Sequence, residues 1–123
     1  MISELPVIDL ELGANLLGCS TQMAVKMIQE LAASLPENLQ ELEKAYAAIN
    51  ISKLASIAHY IHGGSCYCGA PRLKAAAMAL EKQAKNKNRL EDLKSVYENL
   101  RHEIQSLLDH ATGLSQDKIS PRK

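Results

Sequence analysis

Leu90, Leu93, Tyr97, Leu100, Ile104, Leu107 and Ala111 recur at steps of three and four, the strongest periodic signal in the chain. That spacing lays apolar side chains along one stripe of an α-helix. A helix is therefore expected from about Leu90 to Ala111, with Gly113 placed to cap it. A second stripe, Ala24, Met27, Ile28, Leu31 and Leu35, resumes beyond Pro36 as Leu39, Leu42, Tyr46 and Ile49. Ser20 or Thr21 can cap its start. Ser34 and Glu37 have capping-box spacing around Pro36, whose missing N–H does little harm in a first turn, so one long kinked element is expected.

A third stripe, Ile51, Leu54, Ala58, Ile61, Ser65 and Cys68, has the alternating steps of a bundle seam. Pro71 opens a fourth, alanine-rich helix with Leu73, Ala76, Ala77, Leu80 and Ala84 on its apolar side, and Asn86, Lys87 and Asn88 form a turn after it. Asp9 to Leu17 reads as a short first helix whose apolar surface comes from Leu10, Leu16 and Leu17, broken by Gly18. Met23, Met27 and Met78 read as core packing. No alternation long enough for a strand competes with these segments. Short connections between long helices make neighbours antiparallel. The expected fold is all-α: an antiparallel up-down four-helix bundle with a short N-terminal capping helix.

Length and composition narrow this further. The chain has 123 residues, enough for one hydrophobic core, so residues 1–114 are read as one domain and residues 115–123 as a flexible polar tail. Its apolar residues are mainly Leu, Ala, Ile and Met, with no Phe or Trp, a palette that suits helices. Fourteen basic residues balance fourteen acidic ones, which argues against nucleic acid or an anionic membrane as partner. The apolar stretches are interrupted every few residues by polar ones, so neither a spanning helix nor an export signal is expected, nor direct membrane contact. Cys19, Cys66 and Cys68 are odd in number, which argues against a disulfide framework and for a reducing cytoplasm.

The candidate chemistry centres on His59. It lies one residue after Ala58 and two before Ile61, both seam positions, so at about 100° per residue it points away from the core. Its neighbours at helical spacing are Ala55, Ser56, His62, Gly63 and Cys66: small side chains plus a second imidazole. Gly63 and Gly64 would each cost ~1 kcal/mol relative to Ala inside a helix, so bare backbone there needs a reason. A glycine one turn beyond His59 would let a partner's active site descend onto the ring.

The run Ala58-His59-Tyr60-Ile61-His62-Gly63, with Gly69 ten residues after His59, resembles the signature of histidine phosphotransfer domains. The stretch from His59 to Leu73 is similar to the C-terminal phosphotransfer domain of BarA/GacS-type hybrid sensor kinases. The resemblance implies that His59 carries the phosphoryl group, supported by His62, Gly63 and Gly69. The natural docking surface for a receiver is then the small-residue patch of Ala55, Ser56 and Cys66 around His59, flanked by exposed residues of the preceding helix. Many relatives have lysine three residues after the phosphorylated histidine, where this chain has His62.

The implied mechanism is nucleophilic. A neutral imidazole, with a reference pKa of ~6.5, attacks the aspartyl phosphate of a receiver, and the reverse step loads a second response-regulator receiver. The resemblance further implies a phosphocarrier without a kinase core, and no cofactor of its own, since the receiver supplies Mg²⁺. It implies receiver domains and the histidine kinase it belongs to as partners, while a self-contained four-helix core, needing no second copy, makes a monomer the expectation. The location implied is cytoplasmic, free-standing or as the cytoplasmic part of an inner-membrane sensor kinase. Two rivals stand beside this reading. One is a helical interaction module that binds a receiver without chemistry. The other is a zinc or copper site on His59, His62 and Cys66, against which the missing fourth ligand counts.

Overall fold

The computed structural model describes residues 5–86 and 89–114. Its helices are α1 (Leu10–Leu17), α2 (Thr21–Ala47), α3 (Ile51–Ser65), α4 (Pro71–Asn86) and α5 (Lys94–Thr112), the last preceded by a 3-10 turn over Leu90–Leu93. Among the described residues there is no strand. α2 packs on α3, α3 on α4, α4 on α5 and α5 back on α2, which closes the expected bundle, and α1 lies against α2. The expected turn at Asn86, Lys87 and Asn88 is described only at Asn86, the last residue of α4, and the tail at 115–123 lies outside the described residues.

Side chains start three of the helices. Asp9 Oδ1 accepts from the Leu12 amide at 3.0 Å, Ser20 Oγ from Met23 at 3.1 Å and Asn50 Oδ1 from Lys53 at 3.0 Å. Each such cap is worth about 1 kcal/mol. Ser20, not Thr21, is thus the cap of α2. No new helix starts at Pro36: Ser34 Oγ donates to the Leu31 carbonyl, and α2 runs on through the proline. The stripes meet in one core, where Ile28, Leu35, Leu42, Leu54, Ala58, Leu80, Leu100, Ile104 and Leu107 have no exposed surface. Beside it the rings of Tyr46 and Tyr97 stack with centroids 3.8 Å apart.

Several expectations at the edges of the stripes are corrected. α1 buries Gly13 and Ala14, leaving Leu16 and Leu17 exposed, because the close approach of its backbone to Cys68 selects small residues for the contact. Met23 and Met78 are also exposed, so of the three methionines only Met27 packs against the core. α2 stops at Ala47, so Ile49 falls beyond the helical stripe, 66% exposed and at φ 56°, a costly conformation for a β-branched residue. α3 stops at Ser65 rather than Cys68, which remains buried in the following turn with its thiol donating to the Gly64 carbonyl. The helix expected from Leu90 begins as the 3-10 turn, and Gly113 ends α5 at φ −75°, without a left-handed cap.

Gly69 sets the corner between α3 and α4. It has φ 77°, and a Cβ there would overlap the backbone oxygen of Asp9. Its own carbonyl accepts from the Asp9 amide at 2.7 Å. The corner therefore requires glycine twice over, once for backbone conformation and once for the close approach of the chain entering α1. Its contribution is to hold the end of α3, on which His59 sits, against the rest of the bundle.

Candidate functional site

The inward positions Leu54, Ala58 and Ile61 are buried, and their helical phase turns His59 outward, leaving its side chain 72% exposed. Its Nδ1 lies 2.7 Å from Oε2 of Glu81 on α4. His62, one turn later on α3, places its Nδ1 3.3 Å from the other carboxylate oxygen, and Lys85 Nζ donates to Oε2 at 3.0 Å. One buried carboxylate thus holds two imidazoles and an ammonium. Burial alone would raise the pKa of Glu81, but hydrogen bonds from Lys85 and His59, together with their charges, outweigh it and hold the carboxyl below its usual value.

An ionised carboxylate only accepts hydrogen bonds, so the neutral His59 ring that pairs with it carries its proton on Nδ1. That tautomer leaves the lone pair on Nε2, the nitrogen away from Glu81. A carboxylate behind an imidazole therefore orients the ring and stabilises positive charge that develops on it.

Beside His59 an open groove of about 600 Å³ runs between α2 and α3. Met27, Leu31, Ser34 and Asn38 form its α2 side, with Tyr60, Gly63 and Gly64 on the other. A Cβ placed on Gly63 would meet nothing within 4 Å, so the glycine answers no packing demand among the described residues. It keeps the ground beside the ring low.

The three residues expected to form a docking patch do not gather there. Ala55 is half-buried against the core, and Ser56 lines a smaller depression with Asn38, Lys53 and Tyr60. Cys66 faces a different groove, shared with Leu12 and Leu16 of α1 and Met78 of α4. Its backbone is still helical, but seven residues beyond His59 it stands about 10 Å further along the axis, beside α1 and α4. The structure thus brings His59, His62 and Gly63 together, gives Gly69 a corner, and separates Cys66.

Glu81 and Lys85 were missed from sequence. The available signal was a glutamate embedded in the α4 stripe, directly after Leu80 and four residues after Ala77. A second missed pair, Arg72 and Glu103, joins α4 to α5, with Arg72 Nη2 2.7 Å from Glu103 Oε2.

The fold and site together define an all-α bundle that presents His59 to solvent over a buried carboxylate. The chain matches the Hpt domain family over residues 26–110, and it belongs to that family. Sensor histidine kinase GacS of Pseudomonas protegens is 35% identical over 78 residues, 63% of this chain and 8% of that protein. Signal transduction histidine-protein kinase BarA of Shigella flexneri is 29% identical over 110 residues, 89% of this chain and 11% of that protein. The chain spans about a tenth of the length of these curated relatives. The crystal structure of the HPT domain from a sensor hybrid histidine kinase of Shewanella has a TM-score of 0.82 at 24% identity, covering 93% of this chain and 97% of that one. That likeness establishes the fold. Among the described residues no helix is long and apolar enough to cross a membrane.

Proposed function

We propose that this chain is the phosphocarrier of a two-component phosphorelay, accepting a phosphoryl group from a receiver-domain aspartate onto Nε2 of His59 and passing it to a response-regulator receiver. The observation that carries the reading is the ring itself: open to solvent, with Nδ1 engaged by Glu81 and the Nε2 lone pair left as the nucleophile. In the forward step the Nε2–P bond forms as the aspartyl O–P bond breaks, and the aspartate leaves as carboxylate. No proton need move. The ring keeps Nδ1–H and becomes a phosphoimidazolium, whose charge faces Glu81, and the reverse step returns the neutral imidazole.

Mg²⁺ and its acidic ligands belong to the receiver in this scheme, as in phosphoryl transfer generally, where positioning and charge stabilisation are the main tasks. The α2–α3 groove is the surface a receiver would cover. Membership of the Hpt family and the likeness to parts of GacS and BarA support a place within a cytoplasmic hybrid-kinase relay, with no kinase activity in this chain. A core closed by its own four helices supports a monomer.

Incubation with a phosphorylated receiver and Mg²⁺ tests the reading. Wild type takes up label in an acid-labile linkage, and His59→Gln takes up none. Wild type that binds receivers but stays unlabelled would leave the interaction-module reading in its place. Gly63→Gln supplies a second check. Its side chain enters open space and replaces a helical glycine, so urea unfolding shows stability raised by roughly 0.5–1 kcal/mol. Label uptake nevertheless slows, because the added bulk stands where the receiver approaches.

A further inference from the structure

His59 and His62 on α3 and Glu81 on α4 offer one ligand atom each within 4.8 Å of one another, with the carboxylate buried beneath the two rings. We propose that this cluster is a binding site for a divalent transition ion of the zinc class, and that its occupancy closes the carrier to phosphoryl transfer. The binding claim stands on geometry alone; the closing claim rests on the function proposed for His59.

Two imidazoles and a carboxylate, with a further position open to water, are a donor set that zinc takes at ligand distances of roughly 2.0–2.2 Å. The contacts already made, 2.7 Å from His59 Nδ1 to Oε2 and 3.3 Å from His62 Nδ1 to Oε1, show how small a movement would place an ion among them. The exposed ring of His59 is free to make it. Mg²⁺ prefers an all-oxygen octahedron and is a poor competitor here. The ion's rival is internal. Lys85 Nζ donates to the same Oε2 from a side chain that is itself well exposed, so it can swing away when a stronger cation arrives.

Occupancy removes the nucleophile by either route. An ion on Nε2 occupies the attacking lone pair. An ion on Nδ1 displaces that proton, and the neutral ring then carries its hydrogen on Nε2. Cys66 has no part, because it faces the other groove.

Calorimetric titration of the tag-free chain with Zn²⁺ is expected to show one ion bound per chain. His62→Gln and Glu81→Gln should each weaken binding at least ~10-fold, the lower end of what even second-shell losses cost. Lys85→Met should tighten it, since the competing ammonium is gone. Circular dichroism verifies that each variant is folded. No saturable binding by wild type, or unchanged binding in both His62→Gln and Glu81→Gln, overturns the site. Label uptake measured with and without Zn²⁺ then tests closure: the ratio falls in wild type, recovers with a zinc-selective chelator, and stays near one in His62→Gln. Zinc that binds without changing the ratio overturns the closing claim. Wild type that takes no label even without zinc defeats the phosphocarrier reading and leaves the ion site standing.

Discussion

A chain carrying Glu81→Ala takes up label from a phosphorylated receiver about 10–100-fold more slowly than wild type, with Glu81→Gln between the two. The magnitude follows from one charge-assisted hydrogen bond worth ~1.5–3 kcal/mol, at 1.36 kcal/mol per tenfold in rate. Glu81 acts through His59, holding the proton on Nδ1 and facing the charge that appears when Nε2 is phosphorylated. Glutamine can still accept that hydrogen bond but carries no charge, so it restores orientation alone. Time courses of label uptake with the three proteins separate these contributions. Equal rates in all three would show that the carboxylate is structural only.

The same carboxylate makes stability depend on pH. Its pKa in the folded state lies below the usual value, so the unfolded chain binds the proton more readily in acid. Its contribution to stability is fully present above the ordinary carboxyl range, near 4.5, and is lost as pH falls through the lower folded value. The stability difference between wild type and Glu81→Gln therefore shrinks as pH is lowered from about 5. Urea unfolding at a series of pH values reads this directly.

Arg72→Met has the largest expected effect on folding, a loss of about 3–5 kcal/mol. Arg72 gives Nε and Nη2 to Oε2 of Glu103, at 3.2 and 2.7 Å. Glu103 is only 2% exposed, and its Oε1 has no hydrogen-bond partner among the described residues. Removing the guanidinium strands a carboxylate inside the bundle, and the energy of that group rather than the worth of the pair sets the penalty. The double change Arg72→Met with Glu103→Leu recovers most of the loss, because neither desolvated charge remains. Urea midpoints of the two variants, at unchanged slope, provide the check. A single variant as stable as wild type would mean that water reaches Glu103 in place of the arginine.

Periodicity made much of this molecule legible in advance. The steps from Ile51 to Ser65 locate α3 and its buried side, and the position of His59 one residue past Ala58 is enough to turn its ring to water. The same pattern does not show where a stripe ceases to be helical. Ile49 and Cys68 continue the spacing on paper, yet both lie beyond helix ends, so one is exposed and the other is buried in a turn. Cys66 stays helical in its dihedrals, yet two turns beyond His59 it faces the groove against α1 and α4.

What the chain's order of residues determined alone was the placement of the helices, the apolar sides of α2 to α5, and a histidine facing outward over a bare glycine. These are local consequences of 3.6 residues per turn and of side-chain size. Only tertiary packing decided what stands opposite: Glu81 behind His59, twenty-two residues away, and Arg72 against Glu103, thirty-one away. A periodic stripe specifies a face but not its neighbour across the bundle, because that neighbour depends on how two helices are set in rotation and height against each other.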